Sequence, residues 1–168
     1  MKQPIFISIL FLFFLNACSK KSPVVETPVI NYSKVAIKKV TVISYPLLDP
    51  SGSTWDYLIA TDPDLIFDIT QPNTTLFSLP LNNSKDNITP SQLPYFWANT
   101  NDVPFTTVSK FDQPVTVNLY DYDTDPNDFM GSCTFNINDY IYGTEKYPSS
   151  VTKTNGEFSV KLDLTWLQ

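Results

Sequence analysis

The chain has 168 residues, of which 11 are basic and 17 acidic, and it contains no histidine. The net charge of −6 argues against nucleic acid as a partner, because binding to phosphate needs a basic surface. Without histidine, serine–histidine and cysteine–histidine catalysis and every imidazole-based zinc site are excluded, so a bound metal would need oxygen ligands.

The first 17 residues have the layout of a secretory signal. Lys2 gives a short basic start, and the apolar run over residues 5–15 is too short to span a bilayer stably by itself. The run ends in "LNAC", which resembles the lipobox of bacterial lipoproteins. That resemblance implies cleavage before Cys18 and attachment of a diacylglycerol to its thiol. The alternative is an ordinary cleaved signal followed by an incidental cysteine.

Lipidation of Cys18 would fix the protein to a membrane, because two or more acyl chains anchor a protein stably. Ser19, rather than an aspartate, follows the cysteine, which in that family favours the outer membrane of the cell envelope. It does not indicate on which face of that membrane the protein lies. Residues 1–17 carry one lysine and no acid, so the mature chain has 10 basic and 17 acidic residues and a net charge of −7. Cys133 is then the only thiol, and its place in an alternating run predicts a small core residue.

Residues 18–34 are polar, contain two prolines and show no clear periodicity, so they are predicted to be a tether behind the lipidated cysteine. Residues 35–168 have the size of one domain. We therefore expect a signal peptide at 1–17, a lipidated cysteine and tether at 18–34, and a single folded domain at 35–168.

The domain reads almost entirely as β-strand. The β-branched and alternating runs at 35–45, 64–69, 114–123 and 132–137 have the period of half-buried strands. Just before the last run, Asn155-Gly156 predicts a two-residue hairpin turn. Only residues 137–143 offer a helical turn. The last run, 156–168, is the clearest, and it places on one face Phe158, Val160, Leu162, Leu164 and Trp166.

The 14 prolines, the 14% aromatic content and the absence of a long 3.6-residue period favour an all-β fold, either a sandwich or a barrel.

Two acidic segments interrupt the strands about fifty residues apart. The second, "LYDYDTDPNDFMG", carries four aspartates within the eight residues 121–128. Like charges this close repel unless something positive lies among them. The aspartates of the first segment are Asp49, Asp56, Asp62 and Asp64.

These two segments resemble the loops of C2 domains, the calcium- and lipid-binding β-sandwich family. The end of the first segment is similar to the "DPYV"-type entry into a strand, and "YDYD" followed by Asp128 and "FMG" is similar to the second loop. The resemblance implies a C2-like antiparallel β-sandwich of about eight strands. It also implies a Ca²⁺ site, since calcium takes six to eight oxygen ligands. The implied ligands are Asp56, Asp62, Asp64, Asp121, Asp123 and Asp128.

The first loop leaves the ligand assignment open at two points. Asp64 rather than Asp62 matches the family aspartate if the loop is two residues longer, and Asp49 competes with Asp56 through its "LLD" context. At the tip of the second loop, Thr124 and Asp125 are candidates for an extra oxygen ligand.

Three functions from different classes remain. The first is a calcium-dependent, non-catalytic module that binds phospholipid head groups or an envelope protein, with Trp55, Tyr57 and Phe129 as candidate membrane-contact residues. The second is a structural or protein-interaction lipoprotein that is calcium-independent or uses calcium only to stiffen its loops. The third, a two-carboxylate enzyme, is disfavoured by the small single domain and by acids that the metal hypothesis already explains.

Overall fold

A computed structural model describes residues 31–55, 62–123 and 127–168. Within these ranges the chain forms nine strands in two antiparallel sheets, together with one short helix, α1 (Asp139–Tyr142), and three 3-10 turns. None of the helices in these ranges has the length and apolar character needed to traverse a bilayer. The strands are β1 (Lys34–Ser44), β2 (Leu65–Gln71), β3 (Thr74–Ser78), β4 (Tyr95–Ala98), β5 (Thr106–Val108), β6 (Val115–Asp121), β7 (Asp128–Phe135), β8 (Ser150–Asn155) and β9 (Phe158–Leu167).

The first sheet has the order β4-β1-β9-β8, and β5 also pairs with β1. Strands β4 and β5 lie on the same edge of β1, because β4 pairs with residues 39–42 and β5 with residues 35–37. Together they form one interrupted edge strand. Each sheet therefore has four strand positions, which agrees with the sandwich of about eight strands that the sequence predicts.

The second sheet has the order β3-β2-β6-β7, and the core lies between the two sheets. The alternation predicted for the runs at 114–123 and 132–137 is confirmed: Val117 and Leu119 of β6 are fully buried, as is Phe135 of β7. Cys133 is also fully buried, and its burial raises the pKa of the thiol. The prediction of a small core cysteine is therefore confirmed, because a neutral thiol tolerates an apolar environment better than a thiolate does.

The predicted hairpin joins β8 to β9, but its centre lies one residue later than the sequence pattern placed it. Asn155 pairs with Phe158, so the two central residues are Gly156 and Glu157. Gly156 has a φ of +59°, which a glycine adopts without steric penalty at the first central position of such turns. The predicted helical turn is also present, as α1.

An aromatic cluster occupies the end of the sandwich where β1 begins. The ring centroid of Tyr147 lies 4.7 Å from that of Tyr32 and 5.2 Å from that of Trp166, and Phe111 lies 6.1 Å from Trp166. The N–H of Ser33 donates to the carbonyl oxygen of Leu167 at 2.9 Å, which adds the segment before β1 to the sheet. We call this end, defined by Tyr32, Phe111, Tyr147 and Trp166, the aromatic pole.

Gly131 marks a close approach between the two sheets. A Cβ atom at this position would lie 2.9 Å from the Cβ of Phe158, which is only 1% exposed. The glycine of the "FMG" motif is therefore required by packing of β7 against β9, and not by the loop that precedes it.

We predict that Gly131→Ala destabilises the fold by about 1–2 kcal/mol, because the overpacking at Phe158 exceeds the entropy that alanine removes from the unfolded chain. Urea unfolding measures the change. The neighbouring Ser132→Ala, whose residue is only half-buried, serves as the control and should stay within about 0.5 kcal/mol of the wild type. A Gly131→Ala variant as stable as the wild type would contradict this packing role.

Candidate functional site

The pairing of β2 with β6 brings the two acidic segments together. Leu65, the first residue of β2, pairs with Asp121, the last residue of β6, because antiparallel neighbours begin and end at the same edge. Asp128 opens β7 and pairs with Asp121 from the other side. The N–H of Tyr122 donates to the carbonyl oxygen of Asp64 at 2.7 Å, which continues the ladder beyond β2.

Asp121 is buried at this junction, with 1% of its surface exposed. Its Oδ1 accepts a hydrogen bond from the backbone N–H of Asp64 at 2.7 Å. The Oδ1 of Asp64 in turn accepts from the N–H of Asn87, also at 2.7 Å. These two carboxylates therefore hold three chain segments in register, since hydrogen bonds to ionised acceptors are stronger than neutral ones.

Tyr45, just beyond the end of β1, reports the electrostatics of the junction. Its hydroxyl donates to the carbonyl oxygen of Ile88. Burial, followed by the negative charges of Asp62 and Asp121, raises the pKa of Tyr45 to about 12. Both acidic segments thus act on one phenol from the same end of the sandwich. We call this end, defined by Tyr45, Asp62, Asp64, Asp121 and Asp128, the acidic pole.

Asp49 is committed to its own turn. Its Oδ1 accepts from the backbone N–H groups of Ser51 and Ser53, each at 2.8 Å, and from the Ser51 hydroxyl at 2.7 Å. The hydrogen bond from the Ser51 side chain is the main cause that lowers the pKa of Asp49. The carboxylate stabilises the turn between Leu48 and Thr54, which form an isolated bridge.

The predicted ligands divide into two groups. Asp56 lies outside the described residues, as do Thr124 and Asp125. Asp62, Asp64 and Asp123 are half-buried, Asp121 is buried and Asp128 is exposed, all of them at the ends of β2, β6 and β7. The choice between Asp62 and Asp64 stays a prediction, although the hydrogen bond to Asn87 gives one oxygen of Asp64 a structural role.

The donors at the acidic pole are carboxylate and carbonyl oxygens, which is the chemistry that Ca²⁺ prefers. In the three described ranges, however, no three acidic, cysteine or histidine residues form a group that could hold a metal ion. The described residues therefore fit calcium in donor type, and they do not by themselves complete a coordination shell.

The candidate membrane-contact residues differ in exposure. Trp55 is only 4% exposed, and its Nε1–H donates to the carbonyl oxygen of Pro46 at 2.6 Å. Its prediction as a contact residue is corrected, because a ring packed in the core and bonded to the backbone is not available to a membrane. Phe129 is 52% exposed and meets Tyr120 edge-on at 5.7 Å, so it remains a candidate. Tyr57 lies outside the described residues.

Sequence reasoning missed the two most exposed apolar side chains next to Tyr45. Leu47 is 55% and Leu48 is 51% exposed, and both line a cleft of about 420 Å³ together with Tyr45, Trp55 and Asp62. The signal was present in the sequence "YPLLDP", because the flanking prolines prevent the two leucines from continuing β1 into a paired strand.

Comparison with solved structures finds the same architecture at low sequence identity. A structure described as that of a C2 domain is 12% identical, with 80% of this chain and 98% of that chain covered, at a TM-score of 0.49. Human GIVD cytosolic phospholipase A2, in complex with an inhibitor and terbium chloride, is 12% identical at a TM-score of 0.50, and the match covers 82% of this chain but 18% of that chain. A C2 domain of a plant extended synaptotagmin 1 is 10% identical, with 82% and 97% covered, at a TM-score of 0.43.

No protein-family model matches the sequence, and a search of curated proteins gives no match. At these identities the similarity to solved structures bears on the fold alone. The predicted fold class is confirmed: the described chain is a C2-like antiparallel β-sandwich, built mostly of strands with almost no helix.

We predict that Tyr45→Phe reduces the amount by which the free energy of unfolding falls at alkaline pH. Because folding raises the pKa of Tyr45 from 10 to about 12, its contribution is complete below pH 10 and is lost as the pH rises towards 12. The wild type should therefore lose on the order of 2 kcal/mol more than Tyr45→Phe across that window. Urea unfolding at pH 9, 10, 11 and 12 tests this. Equal losses in the two proteins would show that neither burial nor the nearby acids raise the pKa of Tyr45 in the folded protein.

Proposed function

We propose that this protein is a non-catalytic binding module of the cell envelope, held through a lipidated Cys18, that binds Ca²⁺ with the aspartates of two loops and thereby binds phospholipid head groups. The observation that carries the proposal is the junction of the two acidic segments, where the Asp64 N–H meets the Asp121 carboxylate at 2.7 Å. The raised pKa of Tyr45 supports it, because the negative charges of Asp62 and Asp121 both contribute to that shift and therefore act on the same place.

Five described carboxylates would contribute oxygens: Asp62, Asp64, Asp121, Asp123 and Asp128. Asp56 belongs to the same proposed set. When bound, Ca²⁺ would neutralise this negative field and offer open coordination positions to a phosphate group. The hydrogen bond between Asp64 and Asp121 fixes the spacing of the two loops before any ligand arrives, which reduces the entropy lost on binding.

Exposed apolar side chains near the acids support a lipid rather than a purely ionic partner. Leu47 and Leu48 follow β1, and Phe129 is the second residue of β7, next to Asp128. Apolar groups on a rim of this kind gain free energy when they leave water for the acyl region of a membrane. We therefore place the lipid contact on Leu47, Leu48 and Phe129, and no longer on Trp55.

A second candidate function is that of a structural or protein-interaction lipoprotein in which the acids only brace the loops. The hydrogen bonds of Asp64 and Asp121 to backbone N–H groups favour it, because they give both carboxylates a role without any metal. The absence of a three-acid group among the described residues favours it too.

We predict that calcium raises the melting temperature of residues 19–168 relative to the protein in EDTA. A ligand at about 100 times its dissociation constant adds roughly 2.7 kcal/mol of stability, which corresponds to a shift of roughly 5–15 °C for a domain of this size. In Asp121→Asn the amide oxygen can still accept from the Asp64 N–H, but the charge is lost, so the calcium shift should fall by more than half. Differential scanning calorimetry measures both.

The control is Asp112→Asn, which removes the same charge from an exposed turn ahead of β6, beside Phe111 of the aromatic pole, and should keep the full calcium shift. If the wild type shows no shift, calcium binding is wrong and the bracing function becomes the better candidate. If Asp121→Asn keeps the full shift, Asp121 is not a ligand.

We predict that residues 19–168 sediment with phosphatidylglycerol vesicles in calcium and not in EDTA. Phe129→Ser should weaken this binding roughly tenfold, because it removes a large apolar group from the proposed contact. Phe96→Ser is the matched control: Phe96 is 56% exposed, close to the 52% of Phe129, but lies on the edge strand β4. Vesicle binding that is absent, or equally weakened in both variants, would contradict the lipid contact.

A further inference from the structure

The direction of β1 determines how far the proposed anchor lies from the proposed binding site. β1 begins at Lys34, beside the aromatic pole, and ends at Ser44, directly before Tyr45 of the acidic pole. At about 3.3 Å per residue, its 11 residues span about 35 Å. The two poles are therefore separated by about the length of the sandwich.

The entry of the chain into the domain is fixed at the aromatic pole. Tyr32 packs its ring against Tyr147, and at a longer distance of 6.2 Å against Trp166. Ser33 is hydrogen-bonded to Leu167, the last residue of β9. Any link that reaches the domain from Cys18 must therefore arrive at this pole.

The length of the link limits how the domain can turn. Thirteen residues lie between Cys18 and Tyr32, and fully extended they span at most about 45 Å. The tether predicted from the sequence would have a mean end-to-end distance of only about 20 Å if it behaves as a flexible coil. For the domain to stand inverted, with the acidic pole on the anchoring membrane, the aromatic pole must rise about 35 Å above it, which requires a nearly taut link.

The surface of the acidic pole fits this orientation. At its surface the acidic pole carries the half-buried Asp62 and the exposed Asp128, and it presents the exposed side chains of Leu47 and Phe129. The acids would be repelled by the anionic lipid of the anchoring membrane until a cation neutralises them, which disfavours an inverted domain in the absence of calcium.

We propose that the protein acts between two surfaces: held through Cys18, its acidic pole faces away from the anchoring membrane and binds a second anionic phospholipid surface. The inference rests on the proposed function for the lipid anchor and for the calcium-dependent lipid contact. It adds a direction that neither of them contains, and it derives from the strand polarity and the contacts of Tyr32.

Fluorescence transfer to the membrane tests the orientation. The full chain is produced with its lipid, verified by the mass of its N-terminal peptide, and inserted into phosphatidylcholine vesicles that carry an acceptor lipid. A donor is placed on Thr54→Cys near the acidic pole, or on Gln168→Cys at the end of β9. Cys133 is fully buried and does not compete for the label. Transfer should be roughly twofold or more higher from residue 168, given the ~35 Å between the poles. Equal or greater transfer from residue 54, or an N-terminal peptide without lipid, would overturn the proposal.

Capture of a second vesicle tests the binding direction. Anchored wild type and Asp112→Asn should collect free phosphatidylglycerol vesicles in calcium, and anchored Asp121→Asn should collect several-fold fewer. If the free domain sediments with these vesicles but the anchored protein collects none, the proposal is wrong while the lipid-binding function stands. If the free domain does not sediment with them, the lipid-binding function fails, and the action between two surfaces fails with it. The transfer measurement would still report the orientation.

Discussion

The hydrogen bond from the Asp64 N–H to the Asp121 carboxylate is the interaction on which the acidic pole depends. It sits where β2 begins and β6 ends, so the pairing of these two strands sets its geometry. A buried carboxylate needs such donors, because an unsatisfied charge in the interior is strongly destabilising. The same hydrogen bond holds the Asp121 carboxylate, which is 1% exposed, where its negative charge contributes to the raised pKa of Tyr45.

As a consequence, the two ends of the sandwich along the strand axis differ in composition. One end collects carboxylates and exposed leucines, and the other collects aromatic rings that hold Tyr32 and the chain ends together. This arrangement follows from sheet geometry. Antiparallel neighbours place the start of one strand beside the end of the next, so the connecting segments gather at the two ends of the sandwich. A link attached before β1 therefore holds the protein by the end opposite the acidic pole. The proposed binding site and the proposed anchor are therefore separated by about the length of the sandwich.

The sequence predicted the four central strands and the edge strand β7 better than the remaining edge strands. β1, β2, β6, β7 and β9 have inward faces that alternate with polar residues, and that pattern arises from burial between two sheets. The edge strands β3, β4, β5 and β8 lacked it, because an edge strand of this kind buries few side chains and pairs on one side only. The resemblance in the two acidic segments predicted which loops meet. It did not predict that Trp55 turns inward while Leu47 and Leu48 stay exposed, because the direction of a loop side chain is set by tertiary packing.

The central claim is that the acids of the two loops hold one hard cation between them. A crystal structure of residues 31–168 grown with calcium, with the ion located by its anomalous scattering, tests this most directly. The account predicts an ion with oxygens of Asp121 and of at least one acid of the first loop at about 2.3–2.6 Å. A structure with no ion at the acidic pole in millimolar calcium, or with an ion held without Asp121, would contradict it.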